Sequence, residues 1–131
     1  MNHYILATRY HDFSAGHRVA GHENKCAGLH GHNYRVHFTI RAPKLDNLGR
    51  VLDFSAIKHC LCEWLEREWD HKMLLWEDDP LASVLLNRLP GHALAGSDED
   101  HKVIVEALGS LVLVPFNPTA ENMASHLLEV V

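Results

Sequence analysis

The chain has 131 residues, 17 of them acidic and 12 basic, for a formal net charge of −5 with histidines neutral; that length suits one ordinary domain and leaves little room for a second core. Hydrophobic residues at 47% and charged residues at 22% exclude intrinsic disorder, and an acidic balance without a Lys/Arg run leaves no electrostatic footprint for nucleic acid or an anionic membrane. The longest apolar stretch, Leu111 to Phe116, falls far short of a bilayer span of roughly 20 residues. No charged-then-apolar leader is evident, and the three cysteines (Cys26, Cys60, Cys62) make an odd count unlike a secreted disulfide framework. A reduced, cytoplasmic protein is expected.

In chain order, Tyr4 to Phe13 reads as a strand, closed by the turn residues Ser14-Ala15-Gly16. His17 to Leu29 is glycine-containing and polar, so a loop is expected. From His32 to Arg41, Tyr34, Val36, Phe38 and Ile40 alternate with Arg35, His37, Thr39 and Arg41, the period of a half-buried strand. Pro43 ends it and residues 46–49 form a turn. Asp53 is placed to N-cap a helix reaching about Glu68, with Phe54, Ile57, Leu61, Trp64 and Leu65 on one face. Asp79-Pro80 opens a short helical run toward Leu89. Pro90 to Lys102 is loop-like, and Val103 to Val114, broken at Gly109-Ser110, predicts one or two short strands. Asn117-Pro118-Thr119-Ala120-Glu121 starts a final helix. Strands with open edges need partners, so oligomerisation is expected.

The chemistry concentrates in Cys26-Ala27-Gly28-Leu29-His30-Gly31-His32, within a chain that carries 12 histidines. Residues two apart on a strand share a face about 6.5–7 Å apart, so His30 and His32 can converge on one ion. Antiparallel pairing of the two strands would bring His17 beside them. Three imidazoles leave zinc an open position, the catalytic pattern. Cys26 as a fourth ligand would instead close a structural site, and a plain surface role for His30-Gly31-His32 is the other alternative. Outside the ligand set, Cys26 would be a thiol activated by a dication and imidazoles. Asp70-His71, just past the first helix, is a candidate proton-relay pair, with a solvated loop as its ordinary reading. Cys60 and Cys62 are expected to be core or boundary residues.

Five segments then fall in one order: Phe13-Ser14-Ala15-Gly16-His17; Cys26-x-x-x-His30-Gly31-His32-Asn33-Tyr34; Val51-Leu52-Asp53-Phe54; Asp70-His71-Lys72; and Asn117-Pro118-Thr119-Ala120-Glu121-Asn122. In this the sequence resembles the 6-pyruvoyl-tetrahydropterin synthase and 6-carboxytetrahydropterin synthase superfamily. The resemblance implies zinc ligands at His17, His30 and His32, a general base at Cys26, proton transfer by Asp70 and His71, and pterin-pocket residues at Thr119 and Glu121. It implies an α+β tunnelling fold (T-fold): an antiparallel sheet with two helices on one face, subunits joining their sheets into a barrel. The implied assembly is a homohexamer of two trimers with active sites at subunit interfaces.

The implied reaction is that of a zinc-dependent lyase on 7,8-dihydroneopterin triphosphate. The three-residue gap between Cys26 and His30 is like that of the queuosine branch, whose product is 6-carboxy-5,6,7,8-tetrahydropterin with loss of triphosphate and acetaldehyde. A 6-pyruvoyl product and a non-catalytic zinc-binding relative are the alternatives. In the family two further strands follow the last helix, the first ending in a pterin-anchoring glutamate, so a single domain lacking them is expected. Residues 77–116 are expected to be an inserted segment.

Overall fold

A computed structural model describes residues 3–87 and 98–130. The first two strands, β1 (Ile5–His17) and β2 (His30–Ala42), form a long antiparallel hairpin running from Ile5↔Ala42 to His17↔His30. β1 runs four residues past the expected end. Ser14-Ala15-Gly16 continue the ladder instead of turning, because all three pair with β2 and, from Ala15 onward, a later strand pairs on the other side. Gly16 faces Gly31 across the pair, and the space a Cβ at Gly16 would need is filled by the Met73 side chain. The loop between the strands is irregular apart from a 3₁₀ turn at Lys25–Ala27.

The predicted helix is present as α1 (Phe54–Ile57), a π-turn (Lys58–Cys62) and α2 (Glu63–Glu68). Asp53 caps it, its carboxylate accepting from the Ser55 amide at 3.0 Å. The π-turn puts an extra residue into one turn and moves the apolar stripe. Ile57, Leu61, Cys62 and Leu65 are therefore buried, while Phe54 is exposed. A strand the sequence pattern did not signal follows, β3 (Lys72–Trp76). Asp79 and Pro80 then open α3 (Pro80–Leu86), where the Asp79 carboxylate accepts from the Leu81 amide. The expected continuation to Leu89 lies outside the described residues.

Asp98–Leu108 is a helix, α4, where a loop and a strand were expected, and β4 is confined to Leu111–Val114. Val103, Ile104 and Val105 have strand-favouring side chains, but Val103 and Val105 are exposed in α4, so they lack the packed, pleated surface on which a strand preference depends. Gly109-Ser110 is the turn between α4 and β4. The last helix, α5 (Ala120–Val130), begins where predicted.

The sheet order is β2-β1-β3-β4. Among the described residues only β1 and β2 pair antiparallel; β3 pairs parallel to β1, and β4 parallel to β3. The expected all-antiparallel sheet is thus corrected to a mixed one. The cause is connectivity, since helical chain separates β2 from β3 and β3 from β4, and such crossovers allow parallel neighbours. The fold is α+β as expected. On one face Phe13, Ala15 and Phe38 meet Ile57, Leu61, Leu65, Trp69, Leu74, Val114, Met123 and Leu127, so both the 54–68 helix and α5 contribute to one core. Each Val, Leu, Ile, Phe or Met side chain among them, fully buried, contributes about 1.5–3 kcal/mol. No helix among the described residues is long and apolar enough to cross a membrane.

Candidate metal centre and cleft

The hairpin register builds the histidine cluster. His17 lies opposite His30, and His32 lies opposite Ala15 two residues along, so the three imidazoles share the core-side face at the end of the ladder. Their ring centroids are 4.5, 5.0 and 4.8 Å apart, and one ligand nitrogen from each lies within 4.8 Å of the others. His17 is buried, His30 partly so, and His32 open to solvent. Among the described residues the converging group is these three histidines, without Cys26.

Hydrogen bonds set the tautomers. Nδ1 of His17 lies 2.7 Å from the Pro118 carbonyl, and Nδ1 of His30 lies 2.7 Å from the Gly28 carbonyl. A carbonyl only accepts, so both Nδ1 atoms carry the proton and both Nε2 atoms carry lone pairs. Those two Nε2 atoms face each other at 3.0 Å. Two lone pairs at that separation repel unless a cation lies between them. Tetrahedral zinc with bonds of about 2.0–2.1 Å would space its ligand nitrogens about 3.3 Å apart, so this donor set fits a divalent metal. Burial, foremost, and the neighbouring imidazoles push the His17 pKa down, against the pull of the Pro118 carbonyl, which keeps the ring in its neutral, ligating form. The Tyr34 hydroxyl lies 3.3 Å from the same Nδ1, and burial pushes its pKa up to about 12.

The second group arrives from the helix–β3 junction. The backbone at His71 takes a left-handed conformation, φ 59°, which ends the helical segment and turns the chain into β3. The His71 amide donates to the Ser14 carbonyl at 2.7 Å, and the Ser14 amide donates to Asp70 Oδ1 at 3.0 Å. The other carboxylate oxygen of Asp70 accepts from His71 Nδ1 at 2.9 Å. The Ser14 amide, above all, and the His71 ring hold the Asp70 carboxyl below its usual range. Asp70 and His71 are therefore an oriented pair. A shallow depression of about 380 Å³ is lined by Ser14, Ala15, Gly31 and Asn33 together with one member of the cluster, His32, and one of the pair, His71.

Cys26 is a free, half-buried thiol in the 3₁₀ turn. Its carbonyl accepts from the Val19 amide at 2.7 Å, which closes the loop between the strands. Thr119 caps α5, its hydroxyl accepting from the Asn122 amide at 3.1 Å, and Glu121 is exposed in the first turn. Asn117 and Pro118 were missed as site residues by sequence reasoning. Pro118 supplies the acceptor for His17, and the Asn117 carboxamide both accepts from the Ala20 amide and donates to its carbonyl, at 3.0 and 2.9 Å. The signal was their place beside Thr119 in the last of the five segments.

The family model for 6-pyruvoyl tetrahydropterin synthase matches residues 6–131. The chain is 38% identical over 123 residues to the 6-carboxy-5,6,7,8-tetrahydropterin synthase of Rickettsia typhi, covering 94% of this chain and 77% of that one. The enzyme of the same name from Rickettsia felis is 37% identical over the same coverage. The crystal structure of an uncharacterized protein from Wolinella succinogenes superposes with a TM-score of 0.80 at 29% identity, over 97% of this chain and 82% of that one.

Proposed function

Since the chain belongs to the 6-pyruvoyl tetrahydropterin synthase family, we propose that it is a zinc-dependent 6-carboxytetrahydropterin synthase. It converts 7,8-dihydroneopterin triphosphate and one water to 6-carboxy-5,6,7,8-tetrahydropterin, acetaldehyde and triphosphate, in the cytoplasm, on the route to queuosine and other 7-deazaguanines. The observation that carries this reading is the convergence of His17, His30 and His32 on one point, with His32 and the Asp70-bonded His71 lining a common depression. A metal site and a proton-transfer pair are what the elimination and cleavage of a hydroxylated side chain require.

In this reading His17, His30 and His32 hold the metal, the Nδ1 bonds of His17 and His30 fixing their rings. Zinc with three protein ligands supplies a Lewis acid that polarises the vicinal hydroxyls of the dihydropterin side chain and acidifies the neighbouring C–H. Cys26 is the base that removes that carbon-bound proton. Asp70 holds the Nδ1–H of His71, so Nε2 is the nitrogen that exchanges a proton with the side-chain oxygen. Thr119 and Glu121 flank the pterin pocket. Cys26 stands outside the converging group, which supports a base over a fourth ligand.

We assign the working assembly as a homohexamer of two trimers whose sheets join into a barrel. The edge strands β2 and β4 and the exposure of His32 and His71 support active sites completed by a neighbouring subunit. Residues 77–116 are read as a segment inserted into this fold, anchored by an ion pair at 2.9 Å between Arg18 and buried Asp79.

The test is mass spectrometry of the products formed by the zinc-loaded protein from 7,8-dihydroneopterin triphosphate. The 6-carboxy product with acetaldehyde is expected. A 6-pyruvoyl product without acetaldehyde would move the protein to the other branch, and no turnover in a zinc-replete hexamer would overturn the enzyme reading.

A further inference from the structure

We propose that Asn117 is a positioning residue: its carboxamide locks the loop after β1 onto the start of α5, and so holds both the imidazole of His17 and the turn carrying Cys26 in working geometry. This rests on the three-histidine metal reading. Nδ1 of His17 finds its acceptor 101 residues away in the chain, at the carbonyl of fully buried Pro118. That carbonyl is aimed by its own neighbours. The Asn117 carbonyl accepts from the Thr119 amide at 2.7 Å and from the Asn122 carboxamide at 2.9 Å, which ties the 117–119 turn to the first turn of α5.

The Asn117 side chain makes the long-range connection. Oδ1 accepts from the Ala20 amide and Nδ2 donates to the Ala20 carbonyl. The paired bonds require one amide orientation and need a group that donates and accepts side by side, which among side chains of this length only a carboxamide supplies. Ala20 stands three residues past His17, and its neighbour Val19 donates to the Cys26 carbonyl at 2.7 Å. One clamp therefore sets where the strand leaves the ligand and where the thiol-bearing turn comes to rest. Groups that orient a metal-bound imidazole typically change affinity 10- to 100-fold when removed.

The experiment uses the full-length chain freed of metal and titrated with Co2+, read by its absorption spectrum. In parallel, the alkylation rate at Cys26 is followed in the metal-free chain by peptide mass. His17→Ala is the reference for the site and must abolish the cobalt spectrum; if it does not, the metal reading falls and the Cys26 rate alone decides the role of Asn117. Asn117→Ala is expected to weaken cobalt binding about 10- to 100-fold and to speed Cys26 alkylation several-fold, with circular dichroism unchanged. Asn117→Asp, which keeps the acceptor and loses the donor, is expected to fall between, and it carries the test if the alanine variant does not fold. Folded variants that melt at a lower temperature yet bind cobalt and react at Cys26 like the parent would overturn the proposal.

Discussion

The two ends of the β1–β2 hairpin share one ladder and differ in what finishes them. Toward Ile5 and the middle of the ladder, Arg9 reaches the Phe54 carbonyl and His11 the Glu66 carboxylate, but three contacts stay within the hairpin: Thr8 hydrogen-bonds Thr39 at 2.9 Å, Arg35 forks onto Asp12 at 2.8 and 3.0 Å, and the Arg35 guanidinium lies over the Tyr10 ring. These three are solvated cross-strand pairs of small individual worth. At the other end the same register brings His17 opposite His30, and beside local bonds such as that from His30 to Gly28, much of the site is oriented by distant chain. Pro118 reaches His17, Ser14 meets Asp70, and Asn117 clamps Ala20. A strand pair places residues; segments remote in sequence turn the placed residues into a site.

Substitutions at the two ends should therefore diverge. The largest contrast is His30→Ala against Arg35→Ala. Metal content measured on the purified protein should fall from one ion per subunit to background in the first and stay unchanged in the second; equal retention would break the assignment of the cluster. Next is Cys26→Ala, which should keep the metal and lower turnover by about 10²–10⁴-fold, the usual share of a general base. Loss of metal in that variant would restore the four-ligand structural site. A smaller loss is expected from Asp70→Asn. The substituted amide can still meet the Ser14 amide but no longer accepts as a carboxylate from His71, so turnover should fall about 10²-fold with metal content intact. The lowered pKa of Asp70 gives the sign of its pH dependence: its contribution is present above the ordinary carboxylate range and is lost as pH falls through the folded value.

That contrast also explains what could be read without a structure. Period-two alternation from Tyr34 to Ile40, the Asp53 cap, the helical run opened by Asp79-Pro80 and the start of α5 are local signals, and each appears where it was expected. The three histidines were legible because antiparallel pairing of adjacent strands follows from their order in the chain. β3 was not, because Lys72–Trp76 owes its strand geometry to pairing with β1 and β4 on either side, with Leu74 and Leu75 both buried and no alternation to betray it. Asn117 and Pro118 were hidden for the same reason: their acts are on Ala20 and His17, and no spacing rule connects residues about a hundred positions apart. The helix at 98–108 misled in the opposite sense, its β-branched residues stating a preference the fold does not follow.

Tyr34 gives the finest test of where one end of the hairpin gives way to the other. Its ring stacks on Phe13 at 5.0 Å, toward the core, while its hydroxyl is 3.3 Å from His17 Nδ1. Burial without a charged partner is why its pKa is pushed up to about 12. The phenolate absorbance removed by Tyr34→Phe should accordingly rise near pH 12 in the folded protein. The raised value also fixes the sign of the stability effect: the contribution is complete below the ordinary tyrosine range and is lost as pH climbs through about 12. Metal affinity should change little, because the Pro118 carbonyl at 2.7 Å, and not the hydroxyl at 3.3 Å, takes the His17 proton. A tenfold loss of metal in Tyr34→Phe would move the orienting role from the distant segment back into the hairpin, and the division between the two ends would have to be redrawn there.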